Sequence, residues 1–264
     1  MIDLDRPYAL GARAVDFFRE NGFVRLKGVF SCEELSRYAP EIERLTLAKQ
    51  VRPLEERSTY GKAFLQVTNL WEQGGLAREF VFGKRLARIA AELLEVSGVR
   101  LYHDQSLMKE PGGGFTPAHA DQYYWPLASD RCVTAWVPLQ PVPLEMGPIG
   151  FYAGSHRFQF GRELPISNES EARISAEMER QGFPLVDDPF EPGEASFHLG
   201  WTFHRAGPNR TDRPRSVMTI IYMDKDMRLA EPSLGQQGDR DAFCPGVEVG
   251  EVIASPKNPC LFEG

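Results

Sequence analysis

The sequence is poor in cysteine and has no long hydrophobic run. Its four cysteines are widely scattered and include no Cys-x-x-Cys pair, which argues against a disulfide framework and favours reduced thiols in a cytoplasmic enzyme. The apolar run Val217–Met223 is far shorter than the roughly 20 residues that a membrane-spanning helix needs. The first residues include acidic side chains but no long apolar stretch, so we expect no secretory signal and no membrane partner.

Positive charge is also scarce relative to negative charge. Thirty basic and 37 acidic residues give a formal net charge of -7 and a pI near 5.4. This balance disfavours a partner held by bulk electrostatics, such as a nucleic acid or an anionic membrane. A small-molecule substrate fits the balance better, and nothing in the sequence indicates the oligomeric state.

The chain shows no internal repeat, no low-complexity tract and no long linker. Barrels of this length are commonly single domains with one large core. We therefore predict one domain over residues 1–264. A helix-rich N-terminal part, about 1–98, is expected to pack on a β-barrel, and an exposed helical insertion is expected at about 167–182.

Three helices are predicted in the N-terminal part. The first is "GARAVDFFRENG", closed by Gly22, and it is followed by a strand in "FVRLKGVF". The second begins at Ser31, where Ser31 and Glu34 have the spacing of a capping box, although Pro40 is expected to kink or divide it. The third is predicted to run unbroken through "LAREFVFGKRLARIAAELLEVSG" to Gly98.

From Val99 onward, short strand-like runs alternate with turns rich in glycine and proline. These runs are "VRLYHDQSLMK", "CVTAWVPLQPV", "GPIGFYAGSH", "GEASFHLG" and "RSVMTIIYMDK". Many short strands with such turns indicate a β-sandwich or barrel core with helices outside it.

The segment "TPAHADQYYWP" places His119 two residues before Asp121. In an extended chain, side chains at positions i and i+2 point to the same side, so both can approach one metal ion. His204, in "FHLGWTFHRAGPN", offers a third ligand. Two imidazoles and one carboxylate form the facial triad of non-haem Fe(II) oxygenases, which leaves coordination positions open.

Arg215 stands at the start of the strand that follows the turn "AGPNRTDRP". We expect this strand to pair with the one that carries His204. A guanidinium at that place can form a bidentate pair with a carboxylate some distance from the metal. Such an arrangement suits 2-oxoglutarate as cosubstrate.

Several segments together resemble the phytanoyl-CoA dioxygenase (PhyH) family of Fe(II)/2-oxoglutarate-dependent oxygenases. They are "FRENGFVRLKGVFSCEEL", "LMKEPGGGFTPAHAD", "CVTAWVPLQPVPLEMGPIGFYAGSH", "GEASFHLGWTFHRAGPN" and the arginine of "RPRS". The resemblance implies a double-stranded β-helix, a jelly-roll barrel with flanking helices. It also implies that His119, Asp121 and His204 bind iron and that Arg215 binds the distal carboxylate of 2-oxoglutarate.

The resemblance suggests further cosubstrate contacts from Lys109, Gln105 and Thr134. Each has an ordinary alternative. Lys109 is equally compatible with an exposed loop, Gln105 with a substrate contact, and Thr134 with a plain strand position.

The other histidines are interpreted as structural. His103 lies in a strand-like run beside Asp104, which we expect to accept a structural hydrogen bond, and His156 belongs to a strand-ending turn. His198 is the competitor of His204 for the metal. It is not followed by the "AGPN" turn, and it has no arginine at the matching distance, so His204 is preferred.

Three aromatic residues follow Asp121 directly. If this stretch is extended, its alternation directs Tyr123 toward the ligands and Tyr124 away from them. Tyr123 is therefore predicted to line a substrate pocket, with Trp71 contributing from the loop region before the third helix. The alternative is that these rings cover the barrel mouth or pack in the core.

The implied reaction uses Fe(II), 2-oxoglutarate and O₂ to oxidise a C–H bond of a small organic metabolite, with release of succinate and CO₂. Hydroxylation is expected first, and desaturation or ring closure is a variant of the same chemistry. A catalytically silent binding or scaffold barrel is the alternative, but all four key residues are present. A halogenase needs a small residue where Asp121 stands, and a zinc hydrolase leaves Arg215 without a role.

Two positions depart from the family pattern. Ala120 stands where glutamine is common, and Met146 stands where asparagine is common before the glycine. Neither is a proposed ligand, so these departures hint at a divergent substrate group.

Overall fold

The computed structural model describes residues 2–49, 61 and 63–264. Its α-helices are α1 (Ala12–Asn21), α2 (Cys32–Ala48), α3 (Gly75–Val81), α4 (Lys84–Leu94), α5 (Asn168–Gln181) and α6 (Gln237–Phe243). Its strands are β1 (Phe23–Leu26), β2 (Leu65–Thr68), β3 (Gly98–Lys109), β4 (Thr116–His119), β5 (Cys132–Pro138), β6 (Ile149–Tyr152), β7 (Leu185–Val186), β8 (Ala195–Leu199), β9 (His204–Ala206), β10 (Arg215–Asp224) and β11 (Cys260–Glu263).

The described strands form two antiparallel sheets. The larger sheet has the order β1-β8-β5-β10-β3-β11, with β2 paired to the same β3, and the smaller has the order β4-β9-β6-β7. This arrangement is the expected double-stranded β-helix. The long strands β3 and β10 are paired along almost their whole length, from Lys109 opposite Arg215 to Val99 opposite Asp224.

The alternation of side chains along β5 explains why this strand is buried on both faces. Val133, Ala135 and Val137 point outward and join the hydrophobic core formed with the helices. Thr134 and Trp136 point inward and line a cavity inside the barrel. The larger sheet is therefore a wall between the helical layer and the barrel interior.

The N-terminal part contains helices and the expected strand β1, and β1 and the additional strand β2 both belong to the larger sheet. Gly22 closes α1 in a left-handed conformation with φ of 78°. The capping box of Ser31 and Glu34 is present, and α2 continues through Pro40 without dividing.

The prediction of one unbroken third helix is wrong. Two helices, α3 and α4, meet at Phe82 and Gly83. A Cβ atom on Gly83 would lie 2.8 Å from the Cβ atom of Leu4, so the absent side chain lets the N-terminal segment approach. Arg85 in α4 then forms a buried ion pair with Glu34, 2.7 Å between Nη2 and Oε1.

The predicted helix at 167–182 exists as α5 between β6 and β7, with most of its residues exposed and one face packed on the barrel. Ile174 and Met178 are buried, and Glu171 accepts a hydrogen bond of 2.7 Å from the backbone N–H of Ala118 in β4. Glu171 also forms an ion pair of 2.6 Å with Arg205 in β9. The helix therefore supports the two strands that carry the candidate metal ligands.

The cysteines and the helices show neither a disulfide nor a membrane span within the described residues. All four cysteines are free, and only Cys132 and Cys244 are buried as small hydrophobic side chains. Among the described residues, no helix combines the length and the apolar character needed to cross a membrane.

Candidate active site

Two histidines and one carboxylate converge at the edge of the smaller sheet. His119 ends β4 and His204 begins β9, and the two residues lie directly opposite each other in the antiparallel pair. Asp121 starts the short 3₁₀ turn that follows β4. One possible ligand atom from each of the three residues lies within 4.8 Å of the others.

The hydrogen bonds of both histidines orient their rings for metal binding. Nδ1 of His119 lies 2.7 Å from the carbonyl oxygen of Pro117, and Nδ1 of His204 lies 2.9 Å from that of Thr202. A carbonyl only accepts, so each Nδ1 donates and each neutral ring presents the lone pair of Nε2. Burial lowers the pKa of His204 to about 3, which keeps this ring neutral.

The three donor atoms are placed to bind a cation rather than to form hydrogen bonds with one another. Nε2 of His119 and Nε2 of His204 lie 3.5 and 3.6 Å from the same Oδ1 atom of Asp121. In these tautomers neither Nε2 has a proton to donate to the carboxylate. A divalent metal ion among the three atoms would satisfy all of them, and this donor set suits Fe(II).

The second carboxylate oxygen of Asp121 is held by two other side chains. Nε2 of His198 lies 3.2 Å from Oδ2, and the hydroxyl of Thr134 donates to Oδ2 at 3.3 Å. Geometry thus separates the two competing histidines, since His204 joins the ligand cluster and His198 supports the carboxylate.

A small cavity of about 70 Å³ lies inside the barrel beside this cluster. Its polar wall includes Gln105, Thr134, Arg215 and Thr219. The sequence analysis did not identify Thr219. It lies on β10 four residues after Arg215, and so its side chain points to the same face. The cavity therefore joins the candidate ligands to the start of β10. The expectation that this strand pairs with the one carrying His204 is wrong, because the turn after β9 carries the chain from the smaller sheet to the larger one, where β10 pairs with β3 and β5.

Arg215 is buried in the wall of this cavity and is incompletely paired. Its Nη1 donates to the carbonyl oxygen of Gly147, but its Nε has no hydrogen-bond partner among the residues that the structure describes. Burial lowers the pKa of Arg215 to about 10, so the side chain is still a cation at neutral pH. A buried guanidinium with a free donor is suited to a carboxylate ligand.

Lys109 does not line this cavity, and it is not an exposed loop lysine either. Its side chain is fully buried, and Nζ donates to the carbonyl oxygens of Gly114 and Gly207 at 2.8 and 2.6 Å. Burial, followed by the charge of Arg215, lowers the pKa of Lys109 to about 6. Lys109 therefore links the loop that contains Gly114 to the loop that contains Gly207.

A larger cavity of about 500 Å³ also borders the cluster. His119, Asp121 and Gln105 border both cavities. The remaining lining residues of the larger cavity are Gln66, Thr68, His103, Tyr124, Trp125, Ile166, Asp239 and Phe243. Its volume falls in the range of small-molecule sites.

The aromatic run is placed differently from its sequence-based prediction. Residues Asp121–Tyr124 form a 3₁₀ turn rather than an extended strand, so the two-residue alternation does not apply. Tyr124 and Trp125 line the larger cavity, whereas Tyr123 does not.

Trp71 lies outside both cavities. It packs against Phe82, with 5.3 Å between ring centroids, and beneath the guanidinium of Arg78. The ring belongs to the helical layer, which matches the core alternative for this residue.

Two residues interpreted as structural have different surroundings. Asp104 accepts a hydrogen bond of 2.8 Å from the backbone N–H of Leu70, as expected. His103 lines the larger cavity and stacks on Phe243 with 4.1 Å between ring centroids. Burial lowers the pKa of His103 to about 4, so its ring is neutral.

Comparisons with known proteins agree with this geometry. Residues 18–217 match the family model of phytanoyl-CoA dioxygenase (PhyH). A curated relative, dioxygenase lolE1 from Epichloe uncinata, is 26% identical over 221 residues, which covers 81% of this chain and 82% of the relative.

Two solved structures from nogalamycin biosynthesis are also similar. The non-haem alpha-ketoglutarate-dependent epimerase SnoN is 27% identical with a TM-score of 0.77, covering 95% of this chain and 98% of its own. The carbocyclase SnoK is 25% identical with a TM-score of 0.79, covering 97% and 100%. SnoN has also been crystallised with Fe³⁺, alpha-ketoglutarate and nogalamycin RO.

Proposed function

The chain belongs to the phytanoyl-CoA dioxygenase (PhyH) family, and from that premise we propose that His119, Asp121 and His204 bind its Fe(II). The protein is a dioxygenase that depends on non-haem iron and 2-oxoglutarate. When bound, these groups supply the oxygen chemistry that couples decarboxylation of 2-oxoglutarate to oxidation of a C–H bond. The convergence of the three donor atoms supports this assignment most directly.

Arg215 is proposed to bind the distal carboxylate of 2-oxoglutarate. The free Nε donor and the burial of its guanidinium support this role, because a charged ligand carboxylate would complete its hydrogen bonds. Thr219 and Gln105 are proposed as further contacts in the same small cavity. Thr134 is proposed to act mainly through Asp121, to which its hydroxyl donates.

The substrate is proposed to occupy the larger cavity. A C–H bond placed there would lie beside His119 and Asp121, in a cavity that Arg215 does not line. Hydroxylation is the proposed outcome, and ring closure or epimerisation is the second candidate because the similar SnoK and SnoN have those activities.

The chain is further proposed to form one catalytic domain over residues 1–264. Strands near both ends of the chain, β1 and β11, belong to the same sheet, which supports a single folding unit. A cytoplasmic location is proposed from the four free cysteines.

The proposed reaction is tested by following succinate in the absence of added substrate. Protein freed of metal should form succinate slowly only when Fe(II), 2-oxoglutarate and O₂ are all present, and His204→Ala should form none. Calorimetry under argon should show one site for each of the two cofactors in the unmodified protein. Failure of the unmodified protein to bind either of them would contradict the proposal.

A further inference from the structure

The larger cavity contains one charged group that the metal centre does not use. Asp239 lies on α6 and is half-buried at the cavity wall. Within the described part of the chain, it has no hydrogen bond and no ion pair, and the lining includes no lysine or arginine. Asp241 on the same helix is different, because it is exposed and contacts Gln237 and Arg240.

Aromatic rings form the wall around this carboxylate. Tyr124, Trp125 and Phe243 border the same cavity, and His103 lies stacked on Phe243. The neutral imidazole of His103 cannot serve as a cationic partner for Asp239. A carboxylate among aromatic faces is the combination that recognises ammonium groups, through charge attraction and cation–π contacts.

The position of Asp239 relative to the rings is fixed by backbone contacts. The side-chain amide of Gln236, which precedes α6, donates to the carbonyl oxygens of Tyr123 and Trp125 at 3.0 and 3.2 Å. The hydroxyl of Tyr124 accepts a hydrogen bond of 2.8 Å from the backbone N–H of Ile166. The helix and the aromatic segment are thus joined, and the cavity wall is built in advance of ligand binding.

The unpaired carboxylate is electrostatically unfavourable in the described structure. Burial, followed by the charge of Asp121, raises the pKa of Asp239 to about 6. A cation in the cavity would offset the cost of burying this carboxylate, whereas an anionic group placed beside Asp239 would be repelled by it. The cavity therefore disfavours substrates that carry phosphate or carboxylate groups at this wall.

We propose that the larger cavity selects a substrate bearing a protonated or quaternary amine, whose ammonium group is held by Asp239 against the rings of Tyr124, Trp125 and Phe243. The amine is a recognition group and is not itself oxidised. This inference rests on the proposed function, since it adds a substrate class to the same site. The substrate is then a small cationic organic molecule. Its charged end is held at Asp239, and this contact presents the molecule to the metal centre.

The test uses three soluble probes of nearly equal size and different charge: 2-phenylethylammonium, 2-phenylethanol and phenylacetate. Each is titrated by calorimetry under argon into the full-length protein loaded with Fe(II) and 2-oxoglutarate. The ammonium probe should bind about tenfold more tightly than the alcohol, with phenylacetate weakest. Asp239→Asn should abolish this preference, Asp239→Glu should retain part of it, and the matched control Asp241→Asn should leave it unchanged.

Other results would overturn the proposal. Equal binding of ammonium and alcohol, tighter binding of phenylacetate, no binding of the ammonium probe, or a preference that survives Asp239→Asn would each do so. Binding of Fe(II) and 2-oxoglutarate is measured in the same samples. If these bind normally while the charge preference is absent, the substrate inference alone fails, whereas loss of cofactor binding in the unmodified protein contradicts the proposed function.

Discussion

The two cavities beside the candidate metal ligands have opposite electrostatic character. The small one is lined by Arg215, a buried cation, and the large one by Asp239, a carboxylate. Within the described part of the chain, neither Nε of Arg215 nor the carboxylate of Asp239 has a hydrogen-bond partner. Both cavities share the wall formed by His119 and Asp121. The difference suggests that charge directs the dianionic 2-oxoglutarate to one side and a cationic substrate to the other, so neither compound competes well for the other's place.

The largest effect is expected from removing the ligand that borders both cavities. Asp121→Ala should lower metal affinity by more than about 100-fold and abolish 2-oxoglutarate turnover, because it removes the only carboxylate of the ligand cluster. Metal binding is measured by calorimetry with Mn(II) or Fe(II) under argon. Asp16→Ala, at an exposed position on α1, is the control. Retained metal binding in Asp121→Ala would remove this residue from the centre.

A substitution confined to the small cavity should affect the binding of 2-oxoglutarate and not that of the ligand in the larger cavity. Arg215→Lys should raise the 2-oxoglutarate concentration needed for half-maximal succinate formation by about 10- to 100-fold, because lysine cannot reproduce the planar guanidinium contact. The requirement for iron should change little. Arg205→Lys is the matched control, since Arg205 lines the same cavity but is paired with Glu171. An unchanged 2-oxoglutarate requirement in Arg215→Lys would exclude it from the cosubstrate site.

A smaller effect is expected at His198, which contacts Asp121 without joining the ligand cluster. His198→Ala should weaken metal binding by about tenfold, the lower end of the range for residues that support a ligand. The visible spectrum of bound Co(II) should shift as the carboxylate reorients, and His198→Gln should restore part of the affinity by supplying a donor. His156→Ala is a histidine control away from the centre. Complete loss of metal in His198→Ala would instead make His198 a ligand.

The smallest effect is expected at Thr134, the weaker of the two groups that hold Oδ2 of Asp121. Thr134→Val keeps the shape and removes one long hydrogen bond, so metal affinity should fall only about two- to fivefold. Fe(II) titration under argon measures the change. A loss as large as that of His198→Ala would mean that the hydroxyl, rather than the imidazole, orients the carboxylate.

The sequence predicted those features that depend on periodicity and spacing. Strands β3 and β10 follow from the strand-like runs between turns, and the grouping of His119 with Asp121 follows from their spacing of two residues. The sheet that each strand joins did not follow, because β9 with His204 pairs with β4 in the smaller sheet and β10 with Arg215 pairs with β3 in the larger one. The assigned roles of these residues are still predictions that the variants above would test.

Features that depend on local turns or tertiary contacts were not predictable in this way. The 3₁₀ turn after β4 interrupts the alternation and exchanges the positions expected for Tyr123 and Tyr124. Lys109 turns toward the loop carbonyls of Gly114 and Gly207, which no spacing reveals. Asp239 belongs to no motif, because its relation to the aromatic wall exists only after α6 has packed there.

The most direct test of the two-sided site is simultaneous titration of 2-oxoglutarate and 2-phenylethylammonium into the Fe(II)-loaded protein under argon. The unmodified protein should bind both compounds at once. Arg215→Lys should weaken 2-oxoglutarate alone, and Asp239→Asn should weaken the ammonium probe alone. Mutual exclusion of the two compounds, or a variant that weakens the ligand of the opposite cavity by as much as its own, would contradict the assignment of one cavity to each compound.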